Sequence, residues 1–141
     1  MNTPISDLTE LLASMQPVKN PGVYVFASVL PGTDISKLEP IATIREKEGV
    51  TVVVTEEQAL IAQLSVLFRS TWITLNVHSD LQAIGLTAAF SAALGQANIS
   101  CNVIAGAFHD HIFVPVELGD KAMASLLDLQ RSNLLKRSDH A

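Results

Sequence analysis

The sequence predicts an α+β fold in which antiparallel sheets are backed by helices and two units are interleaved. Three observations lead there. The stretch Trp72 to Val116, WITLNVHSDLQAIGLTAAFSAALGQANISCNVIAGAFHDHIFVPV, reads as strand, loop, helix, strand, hairpin and strand. The stretch Gly22 to Val54 offers further apolar strand segments separated by turn residues. Apolar residues reach 48 % while charged residues fall to 16 %, against a usual charged share of about 25 %.

Taken in order, Asp7-Leu8-Thr9-Glu10 has the form of a capping box. Leu8, Leu11, Leu12 and Met15 follow at helical spacing, and Pro17 is expected to end that helix. Gly22 to Leu30 is apolar on both alternating sets, the pattern of an interior strand. Pro31-Gly32-Thr33-Asp34 signals a turn, and Ile35 to Pro40 reads as loop. Ile41 to Arg45 and Val50 to Val54 form a hairpin through Glu46-Lys47-Glu48-Gly49. Thr55-Glu56-Glu57-Gln58 is a second capping box, opening a helix to about Leu64 whose acidic first turn suits the helix dipole.

Val66-Leu67-Phe68 fits either the tail of that helix or the start of a strand. From Trp72 to His78, Ile73, Leu75 and Val77 alternate with Trp72, Thr74 and Asn76, a half-polar strand. Gly85 to Ala97 is a helix with the stripe Leu86, Phe90, Ala93, Leu94 and Ala97 inward. Ser100 to Ala105 and Ile112 to Val116 are strands, and a last helix starts at Gly119 with Ala122, Met123, Leu126, Leu127 and Leu134 inward. The second group is thus βαββα, one strand short of the six-element ferredoxin-like unit. Gly22 to Leu30 is the expected donor of that strand, which would interleave the halves. The division by sequence is 1–70 and 71–141.

Composition excludes several classes. Net charge is −5 and the nine basic residues are scattered, so no nucleic-acid surface is expected. The acidic start, MNTPISDLTELL, is unlike a signal peptide, and the apolar runs are too short to span a bilayer. One cysteine, Cys101, allows no internal disulfide, and its place on an expected buried strand reads as a packed thiol. A cytoplasmic chain follows. Few charges remain to cover a monomer's surface, which points to a buried interface between copies, a homodimer.

The run Gly85 to Asn102, GLTAAFSAALGQANISCN, resembles the regulatory ACT domain, in particular the tandem copies at the C-terminus of aspartokinases. The shared pattern is a strand, a loop ending at Gly85, the helix Leu86 to Gln96, and Ala97-Asn98-Ile99-Ser100-Cys101-Asn102 leading into the next strand. A weaker echo lies in Gly49-Val50-Thr51-Val52 and the helix after it. The whole chain, HDHIFVP included, is similar to stand-alone bacterial ACT-domain proteins and, more distantly, to cytosolic arginine sensors of animals. The resemblance implies a ferredoxin-like fold, paired sheets, and a free amino acid or similar zwitterion at the interface. By match, its contacts are Ser79, Asp80, Leu81, Ile84, Gly85, Leu86 and Thr87 from the loop, with Asn102, Val103 and Ile104 from the strand. Two departures from the family pattern are read here: no catalytic domain is expected beside these units, and the first unit lacks an obvious first helix.

The residue types fit that reading. Gly85 opens a helix whose free N–H groups favour a carboxylate, and Asp80 or Asn102 suits an ammonium group. Plain structure explains them too: Ser79 or Asp80 as a helix cap and Gly85 as a tight turn. His109-Asp110-His111 puts two imidazoles on one face of a strand. A zinc site needs a further ligand, and His78, His140 and Asp110 offer none at a recognised spacing, so no metal is assigned. His78, His109 and His111 are expected instead to contact ligand or partner. No nucleophile–base pair and no phosphate-cradling loop is present, so neither catalysis nor a cofactor is expected. The reading is a non-catalytic regulatory protein that signals ligand state through oligomer packing. The alternative is a ligand-free dimerisation module.

Overall fold

The computed structural model describes residues 7–77 and 84–139. Helix α1 (Leu8–Ser14) leads into β1 (Gln16–Lys19) and β2 (Tyr24–Val29), and a single 3-10 turn at Ser36–Leu38 precedes β3 (Ala42–Arg45) and β4 (Val50–Thr55). Then come α2 (Glu56–Ile61), β5 (Val66–Asn76), α3 (Leu86–Gln96), β6 (Asn102–Ala105), β7 (Asp110–Pro115) and α4 (Gly119–Asp139). Both expected N-caps form: Asp7 accepts from the Glu10 N–H at 3.0 Å and Thr55 from the Gln58 N–H at 3.2 Å. Glu10 completes no box; it reaches Arg137 on α4 at 3.2 Å.

The strands form one antiparallel sheet in the order β3-β4-β2-β5-β7-β6, with β1 also on β5. Strand β5 belongs to two ferredoxin-like units. Its first half pairs with β2, Tyr24 opposite Ser70, and its second half pairs with β1, Gln16 opposite Asn76. On the far side β7 pairs from Ser70 to Leu75. One unit is therefore β3-β4-β2-β5 and the other β1-β5-β7-β6, interleaved along a common strand. The segment Val66-Leu67-Phe68 is strand.

One expectation is corrected. The missing strand of the C-terminal unit is β1, not Gly22 to Leu30, and Pro17 lies inside it rather than ending a helix. The Asn20 N–H donates to the Trp72 carbonyl at 2.9 Å. Strand alternation then turns the Pro17 nitrogen toward the free edge, where a missing N–H breaks no ladder bond. The turn at Asn20-Pro21-Gly22 separates two strands that follow the same edge of β5.

The helices lie on one face. Leu11, Leu12 and Met15 of the α1 segment, Leu86, Phe90 and Leu94 of α3, and Ala122 and Leu126 of α4 pack on Ile73, Leu75, Ile112 and Val114. In the N-terminal unit a smaller core of Val25, Ala27, Val52 and Val54 is closed by Ala59 of α2 and Leu38 of the 3-10 turn. That turn stands where the C-terminal unit has α3. Of the positions expected inward on α4, Leu127 is 38 % exposed, whereas Asn133 is buried and donates to the Leu129 carbonyl at 2.9 Å. The amide therefore satisfies itself within its own helix.

The β3–β4 turn leaves no room for a side chain at its last residue. A methyl group on Gly49 would stand 2.5 Å from the Val29 carbonyl oxygen, which is backbone and cannot swing aside. Gly49→Ala is expected to lower stability by about 1–3 kcal/mol, the usual cost of overpacking, in urea unfolding.

Candidate functional site

Two regions carry the functional side chains. The first is the end of the sheet where β5 finishes. Leu75, Asp110 and Ala105 are aligned there across β5, β7 and β6. His78, Ser79, Asp80 and Leu81 lie outside the described residues. Ile84 is 87 % exposed and Thr87 is exposed, whereas Leu86 is buried in the core. Gly85 adopts φ +99°, a left-handed conformation, and stands at the N-cap of α3 with no side chain to bond the first turn. A methyl there would also stand 3.1 Å from Leu8.

Asn102, Val103 and Ile104 are on β6, and alternation divides them. Val103 packs against the helix-side core. Asn102 and Ile104 share the other face with their partners Phe113 and His111. Asn102 lies opposite Phe113, three residues before Ala105, hence about 10 Å along the strand from the end where the loop leaves β5. Its amide nitrogen lies 3.5 Å from the Phe113 carbonyl. The loop end and Asn102 are therefore at opposite ends of this short strand within one chain.

Asp110 begins β7 on the helix face and is 9 % exposed. Burial pushes its carboxyl above the usual carboxylate range, and the nearby His111 opposes that shift. Cys101 is half-buried; burial raises its thiol, opposed by a hydrogen bond with Ser91, so it is a poor nucleophile.

The second region is the face that no helix among the described residues covers. Tyr24, Phe26, Phe68, Trp72 and Phe113 meet there from three strands, with Trp72 against the Tyr24 ring at 5.1 Å and Phe26 against Phe113 at 5.3 Å. His111 sits beside them in a polar chain. Its Nδ1 accepts from the Trp72 indole N–H at 3.0 Å and lies 3.2 Å from the Thr74 hydroxyl, which itself accepts from the Asn20 amide at 3.0 Å. An indole nitrogen only donates, so Nδ1 is the acceptor and the proton of the neutral ring is on Nε2. Burial lowers the His111 pKa, and the neighbouring His109 imidazole lowers it further, against the opposing pull of Asp110. The His109 and His111 rings are 6.4 Å apart, and His109 Nδ1 is buried with no partner among the described residues. Nothing in the spacing of the sequence distinguished Asn20, Thr74 and Trp72 as partners of His111. Only the cross-strand register unites them.

Among the described residues no three His, Cys, Asp or Glu side chains gather as a metal site would need, and no helix is long and apolar enough to cross a membrane.

This architecture, two ferredoxin-like units woven through a shared strand, is that of tandem ACT domains. Residues 3–71 and residues 67–128 each match an ACT domain, and the chain belongs to the ACT-domain family. It is similar to a Vibrio cholerae protein of unknown function, described as a possible transport protein. Identity is 47 % over 87 % of this chain and 95 % of that one, with a TM-score of 0.81. The fold alone is shared with an Agrobacterium tumefaciens protein at 14 % identity, covering 82 % of this chain and 89 % of the other, TM-score 0.67. It is shared too with the regulatory subunit of aspartate kinase from Thermus flavus at 7 % identity, covering 80 % and 95 %, TM-score 0.58. No curated protein matches the chain.

A testable consequence follows from the protonation state of His111. The unfolded imidazole titrates near its ordinary value of about 6.5, and the folded one titrates lower. Between the two the unfolded chain binds the extra proton, so this contribution to stability is complete above about pH 6.5 and is lost as pH falls toward the folded value. Urea unfolding at pH 7.5 and pH 5 is expected to show a smaller acid loss in His111→Gln than in the parent. An equal loss would mean that His111 is not the titrating group. Trp72→Phe, which removes the indole donor, is expected to cost about 1 kcal/mol at pH 7.5 beyond its packing loss.

Proposed function

We propose that this protein is a non-catalytic regulatory module that binds a free amino acid or similar zwitterion and signals through the packing of a homodimer. The observation that carries the reading is the start of α3. A left-handed Gly85 stands at the start of this helix of the ACT unit, and the first-turn N–H groups of its 11 residues receive no side-chain cap from it. Such a terminus favours a carboxylate through its N–H donors and its dipole. Ser79, Asp80, Leu81, Ile84, Leu86 and Thr87 from the loop side would complete the carboxylate end of the site. Asn102, Val103 and Ile104 stand an edge-strand length away, so their share in the same site requires a second copy to bring its β6 to the loop. On this reading the units divide at 1–70 and 71–141 in sequence while sharing β5 in space. Asp110 joins the set as a buried carboxylate at the end of the sheet where the loop begins, suited to an ammonium group.

Ligand binding signals only where two packing states differ in affinity. A thermal-melt screen against the twenty amino acids at millimolar concentration tests the reading. At 100 times its dissociation constant a ligand adds about 2.7 kcal/mol, a rise of about 5–10 °C for a chain of this size. The expected result is a hit for one chemical class, reduced in Asn102→Ala and Asp110→Asn. No shift with any amino acid would overturn it.

A second reading, a ligand-free dimerisation module, draws on the exposed side chains Leu60 at 71 %, Ile61 at 70 % and Leu67 at 71 %. These cluster in sequence around the end of α2 and the start of β5. Single apolar residues on a surface are ordinary, whereas a group suggests contact. A flat melt screen together with a dimer that dissociates in Leu60→Asp would establish that reading instead.

A further inference from the structure

We infer that the helix-free face of the sheet holds a second ligand site, distinct from the α3 terminus, that takes a small, largely apolar ring-bearing molecule. The sheet curls until its two edge segments line one cavity. Ile41 and Ala42 come from the β3 edge, Ile104 from the β6 edge, and Trp72, His111 and Phe113 form the remaining wall. The cavity measures about 170 Å³. An apolar cavity of about 150 Å³ is enough to hold benzene, so one six-membered ring with a small substituent fits.

The walls determine the chemistry. Ile41, Ala42, Ile104 and Phe113 offer no side-chain polar atom, and the Trp72 N–H is already spent on His111 Nδ1 at 3.0 Å. Thr74 and Asn20 close the chain behind it, so the imidazole is braced from the side away from its Nε2. A charged ammonium would find no carboxylate among these lining residues, which excludes the zwitterion proposed for the other site. Among the lining side chains the one polar group left to a ligand is the imidazole Nε2–H, a donor that stands beside Gly106 in the turn between β6 and β7. The ligand class is therefore an aromatic or similarly compact ring carrying at most one hydrogen-bond acceptor. A floor of Trp72 and Phe113, their rings stacked at 6.1 Å and Phe113 backed by Phe26 at 5.3 Å, suits such a planar guest because little must be ordered on binding.

Trp72 is the only tryptophan, so its indole N–H gives a single resonance at the site. The experiment titrates the full chain with phenol and, separately, with benzene up to about 10 mM, the range suited to a ligand of seven or fewer heavy atoms. It follows that resonance and the Ile104 methyls, with intermolecular NOEs to locate the probe. A saturable shift at both groups, NOEs to Phe113 and Ile104, and at least tenfold weaker binding in Ala42→Phe or Ile104→Phe are expected. Phenol is expected to bind more tightly than benzene, and His111→Phe to abolish that difference. The absence of a saturable shift in the parent, NOEs to residues elsewhere, or unchanged binding in a folded filling variant would overturn the inference. Ile104 is the one residue that both sites would use; the tests remain separate because the melt screen is read through Asn102 and Asp110, which do not line this cavity.

Discussion

Strand β5 is the constraint on which the rest of the structure depends. Eleven residues long, it is the fourth strand of one unit at Val66–Ser70 and the first strand of the other beyond it. Both cores are anchored to it, since Ile73 and Leu75 face the three-helix layer while Val25 of the smaller core lies beside Arg69. The chain before it accommodates this by running along one edge of β5 twice, as β1 and β2, with the turn at Asn20–Gly22 marking where one unit ends and the other begins. Asn20 ties that turn to β5 through both its backbone N–H and its side chain.

Much of the fold was legible because local patterns and global burial agree. Ile73, Leu75 and Val77 alternate in sequence and are all buried, and the two capping residues Asp7 and Thr55 do what their types predict. What the pattern hid was β1. Four residues with only Val18 reading as strand, and a proline among them, carry no period. They are strand because β5 offers an unpaired edge, a tertiary cause that no local window contains. The exposed Leu127 and buried Asn133 on α4 have the same origin: a helix docked on α1 and α3 buries an arc chosen by its neighbours.

The candidate sites show the same division. Gly85 was readable as a special backbone position, since a glycine before a helical stripe implies a turn that other residues resist. The polar chain Asn20–Thr74–His111–Trp72 was not, because its members are far apart in sequence and meet only through the register of β1, β5 and β7. Two histidines, His109 and His111, flanking Asp110 suggested a contact with ligand or partner. In the structure one of them is a neutral acceptor for an indole, which makes it part of the sheet's scaffolding on the side the helices leave bare.

Sharing a strand also limits how this protein can be taken apart. Gln16 must find Asn76, about 60 residues later, before the C-terminal sheet is whole, and Tyr24 must find Ser70 before the N-terminal one is. A ribosome releasing the chain from its start exposes strands that wait for a common partner, so the halves reach their native form together rather than one after the other. Neither half is a portable cassette. Gene fusion or shuffling that moved one ACT unit into another protein would carry away half of the other's sheet, so this pair is inherited as a single piece.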